Sequence, residues 1–161
     1  MMTMSAIEES VKSYLPPLHQ KAMDYERPVV TPMHAVYQEN KLTLWKTNSP
    51  AKSDKPPLLL IPALINRHFI LDLDQEHSVC KALSEQGYEV YLVDWGEATE
   101  EDRWATFDDL IQGAMRRLVK KVTRLSGQKP VMFGYCLGGI LTQIFASCYP
   151  NEMAGVIVMT A

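Results

Sequence analysis

No stretch of this 161-residue sequence approaches the ~18 consecutive apolar residues that a membrane-spanning helix needs. The start, Met1 to Leu15, carries Glu8, Glu9 and Lys12 and has no continuous apolar stretch, so it does not read as a secretory signal. Cysteine is scarce: Cys80, Cys136 and Cys148 form an odd, widely spaced set. That pattern speaks against a disulfide framework and fits a reducing cytoplasm. Neither Cys-x-x-Cys nor His-x-x-x-His occurs, so no zinc site is expected. Charge of one sign is also lacking. The 16 Lys and Arg and 19 Asp and Glu give a net charge of −3 and are spread along the chain. A nucleic-acid binder would show a basic patch or stripe instead. There is no internal repeat and no low-complexity tract.

The chain does hold enough apolar residues (47%) for one globular domain. Pro16-Pro17 and the stretch from Asn48 to Pro57 break regular structure. Before Pro16, Ile7, Val11, Tyr14 and Leu15 recur at helical spacing. Residues 1–30 therefore read as a helical segment, and 31–161 as the main domain.

Two short strand-like runs, His34–Tyr37 and Leu42–Trp45, flank a turn at Glu39-Asn40-Lys41. Leu58–Ile61 is a solid apolar run, which suits a strand buried on both faces. A helix is expected from about Leu73 to Gln86, with Gly87 as its left-handed stop. Tyr88–Val93 reads as a second buried strand. A long amphipathic helix follows, from about Thr106 to Leu125. Acidic Asp108 and Asp109 lie near its start, and Lys120, Lys121 and Arg124 near its end. Val131–Phe133 is a third strand, Gly139–Tyr149 a helix and Val156–Met159 a fourth strand. Strands alternating with helices predict an α/β fold with a doubly wound, mostly parallel sheet.

One motif carries chemistry. Gly134-Tyr135-Cys136-Leu137-Gly138 follows a buried strand and opens a helix, with Gly139 behind it. A Gly-x-nucleophile-x-Gly turn in that setting lifts the nucleophile above the sheet on a strained elbow. Its glycines let strand and helix pack closely. Cys136 also stands at a helix N-terminus, where the dipole favours negative charge. An elbow of this kind implies an oxyanion hole. The Leu137 N–H would supply one half, and the loop Pro62-Ala63-Leu64-Ile65-Asn66 after the first parallel strand the other. By position the second donor is the Leu64 N–H, with Ile65 the alternate. Cys80 and Cys148 lie within helical patterns and read as small core residues.

With these residues in place, the sequence resembles poly(3-hydroxyalkanoate) synthases, most closely the shorter catalytic subunits of class III and class IV. Their lipase-like box, Gly-x-Cys-x-Gly-Gly, is matched by residues 134–139. The likeness also covers Ala35 to Trp45, Leu58 to Leu73 with its core Ala63-Leu64-Ile65-Asn66-Arg67, Val90 to Gly96 and Phe107 to Ile111.

The resemblance implies an α/β-hydrolase fold and an acyltransferase. Cys136 would accept a 3-hydroxyacyl group from an (R)-3-hydroxyacyl-CoA, and polyester would grow with release of CoA. It implies no bound cofactor and no metal, CoA being a carrier on the substrate. A second synthase subunit or a homo-oligomer, a polyester granule surface and a cytoplasmic location are implied in the same way. Ile65, Asn66 and Trp95 would lie near substrate. Trp95 stands just past the second parallel strand, at the edge where ligands bind such sheets. It reads equally as a packing aromatic.

The triad of this fold runs nucleophile, acid, histidine in chain order. His19, His34, His68 and His77 all precede Cys136, and Glu152 is the one acidic residue after it. By resemblance the catalytic aspartate, the histidine and the cap segment would fall after Ala161. The 161 residues are therefore expected to be an N-terminal part of the hydrolase domain, ending after the strand that follows the nucleophile helix, and inactive alone. His68 follows the oxyanion-loop motif, but the resemblance does not place the base there, and an exposed histidine is expected. The competing readings are a thioesterase or polyester depolymerase with the same box, and a non-catalytic fragment that keeps the sheet.

Overall fold

The computed structural model describes residues 30–48, 54–65 and 67–161. The helix expected before Pro16 and the oxyanion-loop residue Asn66 lie outside the described residues.

The strands are β1 (Met33–Glu39), β2 (Leu42–Thr47), β3 (Leu58–Ile61), β4 (Val90–Asp94), β5 (Val131–Tyr135) and β6 (Gly155–Met159). They form one sheet in the order β1-β2-β4-β3-β5-β6. β1 and β2 make an antiparallel hairpin, and β2 runs antiparallel to β4. The remaining pairs, β3 with β4, β3 with β5 and β5 with β6, are parallel. The hairpin turns at Asn40, whose φ of 51° is left-handed. Asparagine tolerates that region better than most residues.

The solid apolar runs are explained by the pleat, because successive side chains of a strand leave on opposite faces. Leu59, Ile61, Tyr91 and Val93 enter a core with Met115, Leu118, Val122, Leu141 and Phe145. Leu58, Leu60, Val90 and Leu92 enter the other core with Leu71 and Cys80. Both faces of β3 and β4 are thus covered, and Asp94, at the end of β4, is the one charged residue in them.

Helix α1 (Val79–Glu85) begins later than the apolar pattern predicts. The Asp74 carboxylate accepts hydrogen bonds from the Glu76 and His77 backbone N–H groups, each at 2.8 Å. That local turn competes with the helix. Ser78 then caps α1, accepting from the Lys81 N–H at 2.8 Å. Gly87, with φ of 79°, ends the element as expected.

The long helix runs from residue 107 to Ser126. Thr106 and Asp109 cap it reciprocally. The Asp109 carboxylate accepts from the Thr106 N–H at 2.9 Å, and the Thr106 hydroxyl accepts from the Asp109 N–H at 3.2 Å. Its first part, Asp109–Met115, is π-helical, which the sequence pattern does not reveal. The remainder is α2 (Arg116–Ser126), ended by Gly127 in the left-handed region. Helix α3 (Leu137–Cys148) joins β5 to β6. β6, expected as an interior strand, lies at one edge of the described sheet with Val156, Ile157 and Val158 exposed.

Candidate active site at the elbow

β5 ends at Tyr135 and α3 begins at Leu137. Cys136 alone makes the reversal, with φ of 54° and ψ of −127°. A non-glycine residue there is strained, at a cost of about 1–3 kcal/mol. The surroundings hold the strain in place. The Cys136 N–H donates to the Met159 carbonyl at 2.9 Å, and its carbonyl accepts from the Gly139 N–H at 2.8 Å. The thiol is half-buried.

The glycines around it are required by space. A Cβ on Gly134 would lie 2.5 Å from the Gly139 Cα, so strand and helix cross backbone to backbone. A Cβ on Gly138 would lie 2.0 Å from the Ile61 carbonyl oxygen and 2.8 Å from that of Pro62. Gly138 therefore brings the elbow against the carboxyl end of β3, where the Pro62–Ile65 loop starts. The first N–H groups of α3, Leu137 among them, have no acceptor within the helix.

In that loop Ala63 is fully buried, whereas Leu64 is 40% and Ile65 81% exposed. Trp95 is buried, and its indole N–H donates to the Pro62 carbonyl at 3.0 Å. An open, mainly apolar groove of about 480 Å³ runs beside it, bordered by Leu42, Leu64, Trp95, Phe107 and Leu110. Cys136 is not among its lining residues. The structure thus gathers the elbow, the loop and Trp95 at the carboxyl ends of β3, β4 and β5.

Two sequence expectations are corrected. Cys80 is buried as expected, but Cys148 is exposed, because it is the last residue of α3 and faces solvent. His68 is not a surface side chain. It is largely buried, its Nδ1 is 3.0 Å from the Asp94 Oδ2, and its ring stacks on Trp45 with centroids 6.2 Å apart. The missed signal is Asp94 itself, a carboxylate ending an otherwise apolar strand. Burial pushes the Asp94 carboxyl up. Bonds from His68 and the Gly96 N–H, with the imidazole charge, outweigh that and hold it below the usual carboxylate range.

His34 and His77 are engaged elsewhere, with Asn48 and Asp74. Among the described residues no group of three or more His, Cys, Asp or Glu could hold a metal ion. No described helix is long and apolar enough to cross a membrane.

A mostly parallel sheet whose central strands are covered on both faces, with a strained residue between strand and helix above its carboxyl edge, defines the α/β-hydrolase class, here with cysteine at the elbow. Comparison with known proteins agrees. Residues 56–161 match the alpha/beta hydrolase fold family, and residues 21–83 match the Poly-beta-hydroxybutyrate polymerase (PhaC) N-terminus. The chain is similar to the poly(3-hydroxyalkanoate) polymerase subunit PhaC of Haloferax mediterranei, 39% identical over 81% of this chain and 27% of that protein. The Synechocystis subunit is 35% identical over 81% of this chain and 35% of that protein. Among solved structures, the thioesterase domain of the curacin biosynthetic pathway has a TM-score of 0.59 at 20% identity, covering 77% of this chain and 43% of that one. The Francisella virulence factor BioJ has a TM-score of 0.61 at 17% identity, covering 98% of this chain and 55% of that one. These likenesses show the fold. The chain belongs to the α/β-hydrolase-fold family and, within it, to the poly(3-hydroxyalkanoate) polymerases. It spans about a third of the length of the two polymerase subunits compared.

Proposed function

We propose that the protein carrying this chain polymerises (R)-3-hydroxyacyl-CoA into polyester, with Cys136 as the acyl acceptor. The observation that carries this reading is the strained Cys136 elbow, with a thiol where most hydrolases of this fold hold serine. A thiol suits a thioester substrate, since thiol–thioester exchange is nearly balanced in energy. The Cys136 sulfur attacks the acyl carbonyl carbon, the bond from that carbon to the CoA sulfur breaks, and CoA leaves carrying the thiol proton. The hydroxyl of another hydroxyacyl unit then attacks the Cys136 thioester. An ester bond forms and the thiol is restored.

Negative charge develops on the carbonyl oxygen during each attack. The Leu137 N–H and the Leu64 N–H, with Ile65 the alternate, are assigned to receive it. Each such donor is worth about 10²–10³ in rate. Ile65, Asn66 and Trp95 are assigned to the neighbourhood of the substrate. The resemblance assigns the catalytic aspartate and histidine to later positions of the polymerase. The same reading takes CoA as part of the substrate, with no bound cofactor. It also implies a second synthase subunit or a homo-oligomer, a polyester granule surface and a cytoplasmic location. No specific observation favours the thioesterase or depolymerase reading.

The test is the intact mass of the protein from its native source, before and after exposure to 3-hydroxybutyryl-CoA. An acyl adduct mapping to Cys136 is expected. An unmodified Cys136, or an adduct on another residue, overturns the assignment.

A further inference from the structure

The half of the Pro62–Ile65 loop proposed to receive the oxyanion, Leu64 and Ile65, has little burial of its own. Leu64 and Ile65 expose 40% and 81% of their surface, so packing alone cannot fix their backbone N–H groups. What holds the loop is one strand end. At its entry, the Trp95 indole Nε1–H donates to the Pro62 carbonyl at 3.0 Å. At its exit, His68 sits 3.0 Å from Asp94, with Trp45 stacked on the imidazole. Trp95 and Asp94 are consecutive residues at the carboxyl end of β4, a strand buried on both faces and paired on both edges. Asp94 is fixed in turn by the Gly96 N–H, which donates to it at 3.0 Å.

We propose that Asp94 and Trp95 form a clamp that sets the height of the Pro62–Ile65 loop over the elbow, with His68 as its counterpart. All three are then positioning residues. The inference deepens the reading above, since it rests on the loop's role as oxyanion donor. It also gives Trp95 work distinct from touching substrate. Arg67 pairs with Glu97 across the same gap, but both side chains are more than half exposed. Exposed pairs contribute little, so that pair is not part of the clamp.

The consequence is geometric. Oxyanion donors act only within hydrogen-bond reach of the developing charge, and a displacement of about 1 Å can cost on the order of 10²-fold in rate. The test uses Trp95→Phe, which keeps a ring and removes the donor, and Asp94→Asn, which keeps the shape and removes the charge. Both are made in the full protein. Three readouts are compared: hydrogen exchange over Ala63–Leu71, acylation of Cys136 by 3-hydroxybutyryl-CoA, and alkylation of Cys136 by iodoacetamide. Alkylation displaces iodide at a saturated carbon and needs no oxyanion donor.

Exchange in the loop is expected to quicken about tenfold in Trp95→Phe, the effect of losing one hydrogen bond, and by several-fold in Asp94→Asn, where the acceptor of the His68 and Gly96 N–H groups loses its charge. The kcat for acyl transfer is expected to fall at least about tenfold with KM unchanged, while alkylation stays within about twofold. Glu97→Gln is expected to change none of these. Unaltered loop exchange in both variants overturns the clamp, and so does alkylation that slows in step with acylation. If the unsubstituted protein takes no acyl group, the polymerase reading fails, and loop exchange alone then decides whether the clamp exists.

Discussion

The Gly138 Cα and the Ile61 carbonyl are in direct backbone contact, so close that a Cβ on Gly138 would stand 2.0 Å from that oxygen. This contact seats α3, the helix that follows Cys136, against the strand whose end carries the Pro62–Ile65 loop. Gly138→Ala must separate them. Because the obstacle is backbone, relief by side-chain rotation is closed. Overpacking of this kind costs about 1–3 kcal/mol or more. Urea unfolding should show that loss, and any folded Gly138→Ala protein should have lost acyl transfer to Cys136.

Cys136 itself is predicted to trade stability for position. Its φ of 54° with ψ of −127° suits glycine and strains any other residue. Cys136→Gly should therefore raise stability by about 1 kcal/mol, after the extra chain entropy that glycine loses on folding. The same change removes the thiol and all acylation. A Cys136→Gly protein no more stable than Cys136→Ala would show that the elbow is unstrained.

The three thiols should react in an order set by their environments. Cys148 is exposed, Cys136 half-buried and Cys80 buried. Iodoacetamide on the native protein should mark Cys148 and Cys136 and spare Cys80 until denaturant is added. Peptide mapping reads this directly. Native labelling of Cys80 would mean that the face of the sheet bearing α1 is open.

Acid should weaken the fold through identifiable carboxylates. Burial raises the Asp94 carboxyl, but His68 and the Gly96 N–H more than offset this and hold it low. Asp102 is held low first by the Lys41 ammonium, and Asp109 first by the Thr106 hydroxyl. A carboxyl with a lowered folded pKa binds fewer protons folded than unfolded. Its stabilisation is complete above the unfolded value of about 3.9 and is lost as pH falls through the lower folded value. The urea midpoint should therefore begin to drop near pH 4 and keep dropping as the pH is lowered further, through the folded values. Asp94→Asn should show a smaller drop.

Much of this was legible in the sequence because it is local. The run Leu58–Ile61 predicts a strand covered on both faces, since no residue in it can face water. Gly134, Cys136, Gly138 and Gly139 predict the elbow, since only that turn needs a small residue at each crossing point. Thr106 with Asp109, and the glycines Gly87 and Gly127, mark helix ends by backbone chemistry confined to one turn. What escaped the sequence is what depends on chain segments meeting. The start of α1 departs from the apolar period because the Asp74 turn overrides it. Cys148 reads as core by its helical setting, and only the way α3 lies on the sheet turns it outward. That β4 inserts between β2 and β3 is settled by tertiary pairing, because strands of similar composition carry no record of their order. That insertion carries Asp94 to His68 and the Trp95 indole to the Pro62 carbonyl. These contacts join residues 26 and 33 positions apart, and their energy exists only once the sheet has formed.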